Sequence, residues 1–226
     1  MQPALWLVIF GGVFSSIHVI PTGPYTYLQF LTPGILAQSV LLISIFSGIA
    51  SIRERELGII TKFLVSSTPR VFPVGARGLS TSMRGRSPAL IVVLAAIGLG
   101  VTLHLSAVAL AGVVVAIVLG SGRFSALSMI LASIVKTPER FLGIGQLLTM
   151  PLFFASSAIY PLSVMPDWLR PIALANPLTY LVDARRTLML PNEVGLYPLY
   201  VELGVPVRVT LLLTLIEARL HPRTAQ

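Results

Sequence analysis

The chain has no cysteine, which removes disulfides, thiolate metal ligands and cysteine nucleophiles together. Charge is scarce as well. Only 11% of the 226 residues are Asp, Glu, Lys or Arg, against roughly 25% in a soluble domain, too few to build a water-facing surface. The three histidines stand far apart, at 18, 104 and 221, and make no local metal cluster. The lysines are Lys62 and Lys136, and neither closes a G-x-x-x-x-G-K-[ST] run, so a phosphate cradle for ATP is missing. No catalytic cluster, cofactor site or metal site is expected, and the chain is not read as an enzyme. The longest absence is at the start: residues 1–52 hold no Lys, Arg, Asp or Glu before Arg53-Glu54-Arg55-Glu56 arrives in one step. Each ion in such a block costs roughly 2.5–3.5 kcal/mol to place in hydrocarbon. Two more charge-free blocks follow, at 87–122 and 141–166.

What fills those blocks is apolar: 55% of residues are hydrophobic and the mean hydropathy is +0.88. The composition predicts an all-α, polytopic membrane helix bundle of about six transmembrane helices, with 1–226 forming one membrane domain. A crossing needs roughly 20 residues at 1.5 Å each. The first block therefore holds two spans, near 4–20 and 30–52, turned by Pro21, Gly23 and Pro24. Residues 88–135 hold two more, interrupted at His104-Leu105-Ser106, and 141–160 a fifth, with Pro151 as a kink. A sixth falls at 194–218 and carries Glu202, Pro206 and Arg208, which also allows a partly interfacial position. Residues 1–20 have no basic leader and no small-residue cleavage pattern, and read as a first span rather than a signal peptide.

Charge placement sets the orientation. Seven of the 16 basic residues lie between Arg53 and Arg86. With 53–86 cytoplasmic, eleven basic residues lie inside and three, Arg170, Arg185 and Arg186, outside, while Arg123 and Arg208 fall within the membrane. Both termini are then cytoplasmic, and the protein is expected to be multi-pass in the cytoplasmic membrane. The net charge of +8 thus reflects positive-inside bias rather than a nucleic-acid face.

Several segments invite a role. Residues 53–86 form a cytoplasmic loop whose first part, 52–70, repeats Leu57, Ile60, Phe63 and Leu64 at helical spacing between charges. Such an amphipathic helix either docks in a partner's groove or lies on the membrane surface among lipid headgroups. Residues 161–193, with Pro161, Pro166, Pro171 and Pro177 around Trp168 and Tyr180, read as an external interfacial or re-entrant segment capping the bundle. Gly112, Ala116 and Gly120 repeat every four residues, as do Ser44 and Gly48. These small faces suit close helix packing, within the subunit or between two copies. His18 and His104 fall near span ends, where a histidine needs no function.

FLTPGILAQS at 30–39, Ser47-Gly48, RERELG at 53–58 and AIYPLSVMPDWLRPIALANPLTYLVDARR at 158–186 together resemble the permease family of type-2 ABC exporters. The likeness is greatest to its daunorubicin-type drug and nodulation-oligosaccharide branch. The resemblance implies a six-span subunit that pairs with a second copy or a sister permease and is driven by a cytoplasmic ATP-binding ABC subunit. It implies that the segment after the second span is the coupling helix, with Arg55, Glu56, Gly58, Phe63 and Pro69 at its working positions. There Arg55 and Glu56 would make charge-assisted contacts, Gly58 would allow close backbone approach and Pro69 would end the helix. The expected activity is export of an amphiphilic drug-like or lipid-linked compound along a path between two copies, lined by the second and fifth spans. Two departures stand out. The family's amphipathic helix before the first span is not seen, as if the start were assigned downstream or the subunit shortened, and Glu202 and Arg208 interrupt a final span that is ordinarily apolar.

An ion-coupled secondary transporter is the alternative. It calls for paired intramembrane acids and internal repeats, and Glu202 is the plausible mid-span acid. A membrane enzyme would need a convergent cluster, and none is visible.

Overall fold

The computed structural model describes residues 2–17, 21–57, 71–102, 106–135 and 137–190, together with single positions at 204 and 208. Those residues are helical with turns between. In chain order the helices are α1 (Gln2–Ile17), α2 (Tyr27–Phe46), α3 (Gly48–Glu56), α4 (Val71–Gly98), α5 (Ala107–Ile134), α6 (Pro138–Phe154), α7 (Arg170–Ala175) and α8 (Pro177–Met189), with a short 3-10 turn at Leu162–Val164. Among the described residues, the two stretches long and apolar enough to cross a membrane by themselves are Tyr27–Glu54 and Ala107–Ile134. The expected sixth span, 194–218, lies outside the described residues apart from helical backbone at 204 and 208.

Local signals account for the helix ends. Thr26 caps α2, its hydroxyl accepting from the Gln29 N–H while the Gln29 side chain accepts from the Thr26 N–H, a reciprocal box that satisfies two orphan donors. The α4 terminus closes on Gly100, whose φ of +77° suits a residue without Cβ. There Val101 N–H reaches the Ala96 carbonyl and Gly100 N–H that of Ile97. Ser106 caps α5 by accepting from Ala109 N–H at 3.1 Å. Pro138 opens α6 with Glu139 in its first turn.

The bundle is arranged around α2, which packs on α1, α4, α5 and α8. Every residue from Phe30 to Leu41 is buried. Around it the outer faces are apolar: Leu5 and Ile9 on α1, Leu90 and Leu94 on α4, Val108 on α5 and Leu147 on α6 are exposed. Inside lie Gln38, Ser44, Ser121 and Ser125, all buried. Apolar side chains on the outer faces, with polar ones set among the apolar core within, depart from the charged exterior of a soluble fold and suit a lipid surround.

Three expectations change. The polar stretch read as a loop to residue 86 is helical from Val71, so the third helix begins well before position 88. Exposed Arg84 and Arg86 continue the helix without entering the core. The second span is enclosed by its own subunit from Phe30 to Leu41, leaving no side there to line a passage with another copy, whereas α6 keeps an exposed face at Leu142, Ile144 and Leu147. Arg185 and Arg186, counted among water-facing outer charges, are 0% and 4% exposed.

The last change has a local cause. The 17-residue α6 rises only about 25 Å before the chain turns. Asn176 then starts α8 deep in the bundle. Its amide donates to the Leu152 and Ala155 carbonyls at 2.7 and 2.8 Å, while its carbonyl accepts from Leu178 N–H at 2.9 Å. Pro177 at the first helical position completes the restart. From there α8 runs antiparallel to α5 along the small-residue face. A Cβ on Gly120 would meet Leu181 and one on Gly112 would meet Leu188, with Ala116 fully buried between them. The glycine stripe is thus used within the subunit.

Candidate functional site

The first candidate is the α3 end of the bundle. At Ser47 the helix breaks without changing course: Ser47 N–H still reaches the Ile43 carbonyl, and its hydroxyl turns back to Ser44 O at 2.7 Å. Gly48 then comes so close to α5 that its N–H donates to the Ser128 hydroxyl at 2.9 Å. The same hydroxyl donates to the Ile45 carbonyl. A Cβ on Gly48 would lie 2.5 Å from Ser128 Oγ and 2.6 Å from the Phe141 ring. One turn on, Ile52 packs with Ala132, Val135 and Phe141 in a small apolar cluster that joins α3 to the end of α5 and the start of α6. The base of α3 is therefore held by two other helices.

Its tip is different. Arg53, Glu56 and Leu57 are exposed, Leu57 to 73%. Displacement of such a tip would pass directly to α5 and α6, because Ile52 and Gly48 sit among residues of both. Of the coupling residues expected from the sequence, Glu56 lies on this exposed tip. Arg55 is on α3, with its side chain outside the described part, and Gly58, Phe63 and Pro69 lie outside the described residues.

The second candidate lies deeper and was not assembled from the sequence. Arg123 on α5 is 1% exposed and donates from Nη1 to the Pro177 carbonyl at 2.9 Å. Arg185 on α8 donates from Nη2 to the Ala116 carbonyl at 3.4 Å. Arg186 donates to the Ser157 carbonyl at 2.9 Å and lies over the Phe30 ring, 3.7 Å from its centre. The three guanidiniums tie α8 to α5, α2 and the turn after α6, using backbone carbonyls contributed from far away in sequence. The available signal was the Arg185-Arg186 pair about two turns beyond the last proline of a proline-rich stretch, but its acceptors follow no local pattern. Among the described residues no group of three or more His, Cys, Asp or Glu is gathered as for a metal ion.

Comparison with known proteins places this geometry in context. The family model for "ABC-2 type transporter" matches residues 1–190. The chain is similar to the "Putative transport permease ycf38" of Cyanophora paradoxa, with 31% identity over 192 residues covering 83% of this chain and 65% of that protein. The like-named protein of Porphyra purpurea is 28% identical, over 82% of this chain and 64% of its own length. "Daunorubicin resistance ABC transporter permease protein DrrB1" of Streptomyces coeruleorubidus is 26% identical, over 84% of this chain and 66% of its own. The chain thus spans slightly less than two thirds of the length of these relatives.

Proposed function

The chain belongs to the ABC-2 type transporter family, and from that premise we propose that it is the permease subunit of an ATP-driven exporter. It is a multi-pass membrane protein; the membrane we assign is the cytoplasmic one, with the α3 end and both termini on the inner side. Energy comes from a separate ATP-binding subunit, since neither Lys62 nor Lys136 stands in a phosphate-binding glycine run. The partner engages the exposed tip of α3 and the segment to residue 70, with Arg55, Glu56, Gly58, Phe63 and Pro69 as its working positions. A second copy or a sister permease completes the transporter within the lipid.

The observation that carries this reading is the contrast along α3: a base wedged at Gly48 and Ile52 between α5 and α6, and a charged tip exposed at Arg53 and Glu56. A lever needs both. Closure of the ATP-binding subunits moves the tip, and the wedge transmits that displacement to the bundle, shifting it between inward- and outward-open packings. The cargo we assign is amphiphilic, drug-like or lipid-linked. The relative from Streptomyces coeruleorubidus is named for daunorubicin resistance, and the apolar outer faces of α1, α4 and α6 admit a molecule that partitions into lipid.

Purification of the full chain from its native membrane in mild detergent tests the reading. An ATP-binding subunit should co-purify in near-stoichiometric amount, and the isolated chain should hydrolyse no ATP. Hydrolysis by the chain alone, or an external position for residues 53–70 in a cysteine-accessibility map, overturns it.

A further inference from the structure

The exposed surface of α4 changes character halfway along. Toward its Gly98 end the exposed side chains are Leu90, Leu94 and Ile97, an apolar stripe at helical spacing. Nearer its start they are Ser80, Met83, Arg84, Arg86 and Ser87, and of these Ser80, Arg84 and Ser87 repeat the same spacing. The opposite face, with Thr81, Ser82, Gly85 and Ala89, is buried in the bundle. Depth makes the polar stripe anomalous. A Cβ on Gly85 would lie 4.0 Å from Val40 of α2, so Arg84 and Arg86 stand level with Val40. Val40 is midway between Tyr27 and Arg53 on one continuous helical stretch, about 20 Å from each at 1.5 Å a residue. Elsewhere on the bundle the apolar exterior reaches past this level. A Cβ on Gly145 of α6 would touch Ile45 and Phe46, closer to the α3 end, and around it Leu142, Ile144 and Leu147 are exposed. Two exposed guanidiniums therefore sit near the middle of a hydrocarbon layer about 30 Å thick, too far from either interface to snorkel out. An ion facing lipid at that depth is strongly disfavoured, and such residues face water or another polar group.

From this we infer that the first half of α4 lines a water-filled groove entered from the α3 side, and that Arg84 receives there the anionic head, carboxylate or phosphate, of an amphiphilic cargo. The inference rests on the exporter reading and narrows its cargo from an amphiphile to an amphiphilic acid. The guanidinium of Arg84 offers a planar fork to an oxyanion, and the Ser80 and Ser87 hydroxyls, one turn to either side, add neutral donors. Beyond Ser87 the same exposed surface becomes Leu90, Leu94 and Ile97, which suits the apolar remainder of the molecule. Head and tail find matching surfaces on one helix. Arg86, on the other flank of the same turn, adds a second positive charge at this depth and favours an anion over a cation.

The chain has no cysteine, so an introduced thiol is the only one it carries. Ser80→Cys, Ser87→Cys, Leu94→Cys and Ile97→Cys are made in the full chain, in inside-out membrane vesicles that also hold the ATP-binding subunit. They are treated with membrane-impermeant methanethiosulfonates bearing either a sulfonate or a trimethylammonium group. Thiols at 80 and 87 should react at least tenfold faster than those at 94 and 97. At 87 the ratio of the sulfonate rate to the trimethylammonium rate should exceed that of a free thiol at least fivefold. Adding Arg84→Gln should lower that ratio at least threefold, and Arg84→Lys should keep it. Oleate should slow labelling at 87 saturably, oleyl alcohol and added dioleoylphosphatidylglycerol should not, and Arg84→Gln should abolish the protection. A thiol at 87 as unreactive as that at 94 overturns the groove. A free-thiol ratio in Ser87→Cys alone overturns the anion site, because a carboxylate of the chain then neutralises Arg84. Protection by the phospholipid equal to that by oleate gives the face to lipid and overturns the cargo assignment. Recovery of the ATP-binding subunit is read separately, so its absence with the groove intact defeats the exporter reading alone.

Discussion

Gly48 N–H donates to the hydroxyl of Ser128 across 80 residues of sequence, at 2.9 Å, and this contact joins the helix that leaves the bundle to the helix that crosses it. The hydroxyl serves twice, because its own proton goes to the Ile45 carbonyl at the last turn of α2. Removing it leaves the buried Gly48 N–H without its partner, at about 1–3 kcal/mol, and takes one bond from the Ile45 carbonyl. Ser128→Ala should therefore lower the unfolding temperature of the purified chain. Gly48→Ala should do so as well, since its Cβ meets both Ser128 and Phe141 inside 3 Å. If both variants melt with the wild-type protein, the wedge at the base of α3 is not a constraint.

Glu56 sits at the exposed end of the same helix, so its replacement leaves packing alone. Glu56→Arg should shift stability by no more than about 0.5 kcal/mol. The proposed coupling requires it to lower transport at least tenfold and to reduce recovery of the ATP-binding subunit. Normal pumping by a normally inserted Glu56→Arg protein removes Glu56 from the coupling surface.

Much of the bundle was legible because hydrocarbon penalises ions so steeply that charge-free blocks mark helices. The helical stretch 27–54 falls where that rule puts it as far as position 52, and 107–134 does so as far as position 122, beyond which Arg123 is carried inside the bundle. The rule fails where an ion has found a partner. Arg186 was placed in water from its neighbours in sequence, yet its acceptor is the Ser157 carbonyl, and the ring beneath it belongs to Phe30. Likewise Arg84 and Arg86 argued for a loop although an exposed helical face holds them at no cost in desolvation. The place of Glu56 at the end of α3 could be read from the charge step after residue 52, while its coupling role is what the family resemblance implies; the burial of Arg123 and Arg185 required knowing that α8 turns back along α5.

Two glycines in helices should respond oppositely to the same substitution. Gly34 on α2 faces the turn after α6 so tightly that a Cβ would lie 2.2 Å from the Ala158 carbonyl oxygen. Backbone on both sides leaves nothing flexible to yield, and Gly34→Ala should destabilise by about 3 kcal/mol or more, the range of overpacked or displaced cores. Gly143 on α6 has nothing within 4 Å of the same position. Gly143→Ala should stabilise by about 0.5–1 kcal/mol through backbone entropy alone. Equal melting temperatures for the two variants would falsify the close crossing of α2 and the 155–161 turn.

Asn176 makes the sharpest demand on chemistry, because its side chain uses both ends at once. The amide nitrogen donates to two carbonyls at the end of α6, and the oxygen accepts from Leu178 N–H at the start of α8. Alanine loses all three bonds and should cost about 2–4 kcal/mol, adding a lost cap to two orphaned carbonyls. Aspartate is nearly the same shape and keeps the cap, yet its second oxygen would face the Leu152 and Ala155 carbonyls as an acceptor against acceptors. Asn176→Asp should therefore be at least as damaging as Asn176→Ala near neutral pH. It should recover part of the loss when acidified below the carboxyl pKa, where the protonated group regains one donor. Unfolding temperatures of the two variants at pH 7.5 and at an acidic pH tolerated by the wild type decide it. If Asn176→Asp is as stable as the wild-type chain near neutrality, the amide is not bridging α6 to α8, and the buried course of α8 loses its anchor.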